Sequence, residues 1–177
     1  MKFLKKVILS LLFLFVVLTL VSFFLPQKQH VERNVEISAS AEKIYPYLIN
    51  PKLFNEWSPW SKLDPDMKVQ FTGPESGIGA GMSWQSNQSD VGNGSWKIIK
   101  TVENESLVTA LDFGDQGTAT SFFRLQPKDG KTQVTWGFDT DAGMNPMKRW
   151  FGLLMDSMVG EAYQKGLQSL KVLVEPP

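Results

Sequence analysis

The chain contains no cysteine and a single histidine, His30, among 177 residues. Without cysteine there are no disulfides, no thiolate metal sites and no thiol nucleophiles. With one histidine, a His-based triad, a multi-histidine zinc site and a facial triad all lack ligands or bases. Net charge is missing too, because 18 basic residues cancel 18 acidic ones. The balance hides an uneven distribution: Lys2, Lys5, Lys6 and Lys28 all precede the first acidic residue, Glu32. From residue 30 onward 14 basic residues face 18 acidic ones, a net charge of −4. A nucleic-acid binder shows a basic excess or stripe, so nucleic acid is not an expected partner. Aromatic residues make up 12%, with six tryptophans, ample for a packed core and unlike a disordered chain.

What the first 29 residues do have is an uncharged apolar run, Val7 to Leu25, whose only polar members are Ser10, Thr19 and Ser22. Its 19 residues would span about 28 Å as a helix, close to the hydrocarbon thickness of a bilayer. A cleaved signal peptide also begins with positive charge, but its apolar core is shorter, and the exit Val21-Ser22-Phe23-Phe24-Leu25-Pro26 offers no small-x-small cleavage pair. The expectation is an uncleaved single-pass anchor, residues 7–25. Lys2, Lys5 and Lys6 then stay cytoplasmic by the positive-inside rule, and the main domain is extracytoplasmic, on the periplasmic side in a bacterium.

Residues 30–177 read as one domain. Alternating apolar positions predict a strand over Val31–Ile37, followed by a helix over Ala41–Ile49 with Ser38-Ala39-Ser40 as N-cap candidates and Pro46 as a kink. Asn50-Pro51 breaks it, and Lys52–Trp57 makes another short helical turn. Strands are expected at Met67–Thr72, Gly81–Ser86, Gly94–Val102, Leu107–Phe113, Thr118–Gln126 and Thr132–Thr140. Turn residues separate them, Asp129-Gly130 being the strongest hairpin signal. Asn145 as N-cap and Pro146 as first residue open a helix of about 40 Å running to Val174. Its apolar arc contains Phe151, Met155, Met158, Val159, Ala162, Gly166, Leu170 and Leu173. Trp150, Leu153 and Leu154 point off that arc. They are expected either to be covered by the short helices with Trp57 and Trp60, or to face the bilayer at the mouth of a pocket.

Certain stretches carry a resemblance: Val31-Glu32-Arg33 with Ile37-Ser38-Ala39-Ser40-Ala41-Glu42-Lys43-Ile44; Trp57-Ser58-Pro59-Trp60; Gly73-Pro74 with Gly77-Ile78-Gly79-Ala80-Gly81; Thr132-Gln133-Val134-Thr135-Trp136; and Lys165-Gly166-Leu167-Gln168-Ser169-Leu170-Lys171. In these the chain resembles the helix-grip superfamily of START lipid-transfer domains, polyketide cyclases and pathogenesis-related plant proteins (the SRPBCC group). The similarity is greatest to its bacterial polyketide cyclase/dehydrase-like branch. The resemblance implies an α+β fold in which a curved antiparallel sheet wraps a long C-terminal helix. It does not by itself imply cyclase activity, since one fold hosts carriers, enzymes and sensors.

Alternation and helical phase place Trp84, Trp96, Leu111, Phe113, Ser121, Phe123, Trp136, Phe151, Met155, Met158 and Ala162 on inward faces. These eleven are the expected lining of an apolar ligand site, although the same set would equally pack a filled core. No catalytic residue, metal ligand or cofactor is expected. Asp64/Asp66 and Asp139/Asp141 lack the twelve-residue calcium loop and read as turn residues. The Gly77–Gly81 glycines precede a strand, not the helix that a phosphate loop needs. Lys100 and Asp112 are the nearest acid–base candidates, and a bulge or opposite parity would turn each outward. Three functions stay open: a membrane-tethered binder or carrier of an apolar small molecule or lipid, an enzyme of the cyclase, dehydratase or hydrolase type, and a non-catalytic partner-binding module.

Overall fold

The computed structural model describes residues 2–175. Helix α1, Lys2–Ser22, is long and apolar enough to cross a membrane. It stops three residues before the end of the apolar run, because Phe23, Phe24 and Leu25 tighten into turns ahead of Pro26. The domain follows as β1 (Lys28–Ile37), α2 (Ala41–Ile44), α3 (Pro46–Ile49), α4 (Pro51–Trp57), α5 (Pro59–Leu63), β2 (Lys68–Thr72), β3 (Gly81–Gln85), β4 (Asn93–Val102), β5 (Ser106–Asp112), β6 (Thr118–Lys128), β7 (Lys131–Asp141), α6 (Pro146–Gly152) and α7 (Met155–Val174).

The seven strands form one antiparallel sheet in the order β1-β7-β6-β5-β4-β3-β2. Strands β2 to β7 are therefore a meander, and β1 closes against the last of them, with Val31 opposite Phe138 and Val35 opposite Val134. The β6–β7 turn is made by Asp129 and Gly130, both at positive φ (49° and 75°), the backbone that a tight two-residue hairpin demands. A bulge after Ile98 shifts the register of β4 against β5 and leaves Lys100 exposed. Asp112 is exposed as well, so neither acid–base candidate faces the interior.

Proline punctuates the short helices as expected: Pro46 divides the segment after β1 into α2 and α3 at Tyr45. Asn50 caps α4 by accepting from the N–H groups of Lys52 and Leu53. Ser40 occupies the N-cap position of α2 without a side-chain bond.

The C-terminal element corrects the single-helix expectation. Asn145 Oδ1 accepts from the N–H groups of Met147 and Lys148 and caps α6, yet helix geometry lapses at Leu153-Leu154 before α7 begins. At this break Gly152 sits against the Gln29 side chain so closely that a Cβ would fall 2.5 Å from its Nε2. In α7 the buried residues are Gly160, Tyr163, Gly166, Leu167, Leu170 and Val174. Leu173 is exposed instead, with Phe151 at 53% and Met158 at 57% exposure. α7 lies across β1, flanked by α4 and α5, which is the helix-grip arrangement. Arg33 on β1 fixes it from the side through a two-pronged ion pair to Asp156 at 2.9 and 3.0 Å.

Candidate functional site between the sheet and the C-terminal helix

Alternation along β6 and β7 points Ser121, Phe123, Trp136 and Phe138 into the space between sheet and α7, where all four are buried. Trp136 stacks on Tyr163 of α7 at 3.8 Å between ring centroids and 9° between planes, and on Phe123 at 4.9 Å and 24°. Phe54, Trp57 and Trp60 from the short helices meet Trp136 edge-on at 5.3–5.8 Å. Offset and edge-on contacts suit the ring quadrupoles. Gly166 admits the stack: a Cβ there would sit 2.7 Å from the Trp136 ring and 3.1 Å from Pro59.

One polar knot lies inside this apolar packing. The Ser121 hydroxyl donates to the Gly137 carbonyl (2.9 Å) and accepts from the Trp136 indole N–H (2.9 Å) and the Tyr163 hydroxyl (3.2 Å). Every group in the knot has a partner, as buried polar groups require. Burial pushes the Tyr163 hydroxyl well above the ordinary tyrosine value, outweighing the bond to Ser121 that pulls it down.

Trp96 is different. It is 6% exposed, one strand pair away from this knot, opposite Met82 on β3 and Leu111 on β5, with the Phe54 ring at 5.1 Å. Its indole N–H is buried and has no acceptor among the described residues. Leaving such a donor unpaired in an apolar setting costs about 1–3 kcal/mol.

The eleven expected lining residues therefore fall into three groups. Trp96, Ser121, Phe123 and Trp136 are buried in the core. Trp84, Leu111, Phe113 and Met155 are partly buried against it, with Trp84 and Phe113 ring to ring at 6.1 Å, and Ala162 is half-buried. Phe151 and Met158 stand outside, mostly exposed; within α7 the buried arc runs through Tyr163, Leu167, Leu170 and Val174, about one residue step of 100° from the expected one. Tyr163, Leu167, Phe54 and Trp57 belong to the interior and were not among the eleven. Tyr163 follows Ala162 by one residue, so a single step of helical phase separates it from the expected arc. Two surface depressions stand out: one of about 370 Å³ beside Phe71–Glu75 and one of about 720 Å³ beside Arg124–Lys128. Neither is lined by any of the eleven.

Outside the interior, His30 sits on the opposite sheet face. Its Nδ1 lies 2.7 Å from Asp139 and its Nε2 3.4 Å from Glu32, and the ring stacks near Phe122. The hydrogen bond to Asp139 raises the imidazole above its ordinary value. Asp139 is thus not the turn residue expected of it: it lies within β7, paired with Thr120 and His30, and ties β7 to β1. Asp64 is buried at the end of α5, accepting from Ser86 and from the N–H of Asp66, the turn role expected of it. Among the described residues no group of three or more His, Cys, Asp or Glu is arranged to hold a metal ion.

Residues 28–175 match the family model described as "Polyketide cyclase / dehydrase and lipid transport". Several solved structures share the fold. Protein CV1439 from Chromobacterium violaceum aligns with a TM-score of 0.57 at 16% identity, covering 84% of this chain and 99% of that one. Protein Ms6760 from Mycobacterium smegmatis gives 0.59 at 17% identity, over 82% and 90% of the two chains. The Aha1 dimer from Colwellia psychrerythraea gives 0.55 at 18% identity, over 82% and 96%. No curated protein matches the sequence.

Proposed function

Because the chain belongs to the polyketide cyclase/dehydrase and lipid transport family, we propose that its domain holds an apolar small molecule bearing a hydrogen-bond acceptor, in the part of the interior around Trp96. One observation carries this reading: the buried indole N–H of Trp96, without a partner among the described residues. An ester, carboxyl or ketone oxygen carried in on an apolar body would satisfy that donor and displace no existing hydrogen bond. Trp136 and Tyr163 already spend their donors on Ser121, so they offer structure and not recognition. Neighbouring Leu111, with Phe113 and Trp84 beside it, retains partial exposure, which leaves these side chains free to close over a guest. Helix α1, read as a membrane span with Lys2, Lys5 and Lys6 in the cytoplasm, keeps the domain extracytoplasmic beside the bilayer, where a lipid or lipid-soluble molecule is the ready ligand.

Binding is favoured over catalysis by the chemistry of the interior. A general acid or base must hold its proton near the working pH. The Tyr163 hydroxyl is instead held far up and bound to Ser121, while Lys100 and Asp112 face solvent.

The test uses the full chain in nanodiscs with a photoactivatable fatty acid and the matching diazirine alkane. The fatty acid is expected to label peptides of β4, β5 and α7. Trp96→Phe is expected to lower the acid's labelling there, relative to the alkane's, by up to about tenfold, the worth of one hydrogen bond. Labelling confined to α1, or an equal loss for both probes, would remove the acceptor-binding site.

A further inference from the structure

We propose that Arg149 and Trp150 lock the domain onto the last turn of α1, so that α6 and the start of α7 lie within the headgroup layer of the bilayer that α1 crosses. The proposal rests on the reading of α1 as a membrane span. It adds a second contact with lipid, made by the folded domain itself.

The lock begins at the end of α1. The last carbonyls of a helix have no intrahelical partner and carry partial negative charge. Here turns close on the last carbonyls of α1, and one guanidinium gathers the Ser22 carbonyl together with those of the turn just after the helix. Arg149 Nη1 donates to the carbonyls of Phe23 (3.1 Å), Leu25 (3.4 Å) and Ser22 (3.5 Å), while Nε donates to the Gly143 carbonyl (2.9 Å). The Phe23 ring lies 5.4 Å from its Cζ. Arg149 is 6% exposed and Ser22 is fully buried, so this contact is dry. A buried cation that donates to three carbonyls at and just past the end of α1, and to Gly143 ahead of α6, joins two elements more than 120 residues apart in sequence.

Trp150 sets the depth. Its indole N–H donates to the Leu18 carbonyl at 3.2 Å, one helical turn before the end of α1. The domain therefore straddles the last turn of α1 and does not hang below it. A tryptophan at that level suits the interface between headgroups and acyl chains.

Around this contact the surface is apolar: Met144 (72% exposed), Met147 (74%), Phe151 (53%), Leu153 (54%), Leu154 (53%) and Met158 (57%). The short helices with Trp57 and Trp60 do not cover it, since those two rings pack on Trp136. In water such a patch on a monomer is unfavourable. Its centre touches α1 directly, so the lipid around α1 is the occupant continuous with it. An in-plane amphipathic segment of this kind buries its apolar face about 5–10 Å into the headgroup–acyl boundary.

The absence of native cysteine makes the test direct. Single-cysteine variants Met147→Cys, Leu154→Cys, Phe13→Cys and Gln126→Cys of the full chain are spin-labelled and reconstituted in phosphatidylcholine–phosphatidylglycerol vesicles. Collision with oxygen and with a nickel chelate then gives the depth of each label. The proposal expects labels at Met147 and Leu154 at about 5–10 Å below the phosphates, Phe13 deep in the hydrocarbon and Gln126 in water. Adding Arg149→Gln should return the Met147 and Leu154 labels to water and leave Phe13 deep. If Arg149→Gln fails to fold, by loss of its circular dichroism signal, the depths in the Arg149 background decide alone. Met147 and Leu154 in water with Phe13 deep would overturn the lock and spare the anchor. Phe13 in water would overturn both.

Discussion

Replacing Trp136 with alanine is expected to remove about 3–5 kcal/mol of stability, the range for deleting a large aromatic side chain from a core. Trp136 is 2% exposed and lies at the centre of the interior. It stacks on Tyr163 and Phe123 and receives three further rings edge-on. The cavity left by its indole is walled by rigid rings from four separate elements, so little collapse can fill it. The substitution also strips one donor from the Ser121 hydroxyl. Denaturant unfolding of the full chain in detergent measures the effect on the domain. A loss below about 1 kcal/mol, typical of a surface change, would mean that the stack does not organise the core.

The second large effect is expected at Gly166. A valine there must place its Cβ where the Trp136 ring lies at 2.7 Å and Pro59 at 3.1 Å. Both are held in the packed interior and neither can swing away. Overpacking of this kind costs about 1–3 kcal/mol, and β-branching adds crowding against the preceding turn. The melting temperature should fall by about 2–12 °C, at 2–4 °C per kcal/mol for a domain of this size. Gly160 provides the contrast. A Cβ there also collides, but with the guanidinium of Arg33, the tip of a flexible side chain that is 29% exposed. Gly160→Ala should gain about 1 kcal/mol of helix propensity and lose the exposed Arg33–Asp156 pair, worth about as little as any surface bridge. Its melting temperature should barely move. Equal destabilisation at both glycines would contradict the view that the Trp136 side of α7 is filled and its Arg33 side is adaptable.

These contrasts trace what could be read from residues alone. The strands were legible because one sheet face meets the core and alternation survives, as in Ser121, Phe123 and Leu125. The turns were legible because Asp129-Gly130, Asn50-Pro51 and Asn145-Pro146 carry their own local chemistry. Helical phase was not legible across Leu153-Leu154. Nothing in the periodicity marks a break made where Gly152 meets Gln29, and within α7 the apolar arc expected from the sequence lay about one residue step from the buried one, which put Met158 inside and left Tyr163 out. The burial of Arg149 had no local signal at all, since its partners from the N-terminal segment are carbonyls at and just past the end of α1. The same holds for the orphan donor of Trp96. Alternation put that side chain on the inward face, but only the placement of its neighbours shows its N–H unpaired.

The claim at the centre is that the interior takes a guest, and native mass spectrometry of the full chain released directly from membranes tests it most simply. The account predicts a species heavier than the bare chain by one molecule of discrete mass. That molecule should carry an oxygen acceptor on an apolar body, and Ala162→Trp, which adds bulk at a half-buried position of α7, should abolish the heavier species while the fold survives. A bare chain throughout, with Ala162→Trp unfolding the domain, would show a filled core and contradict it.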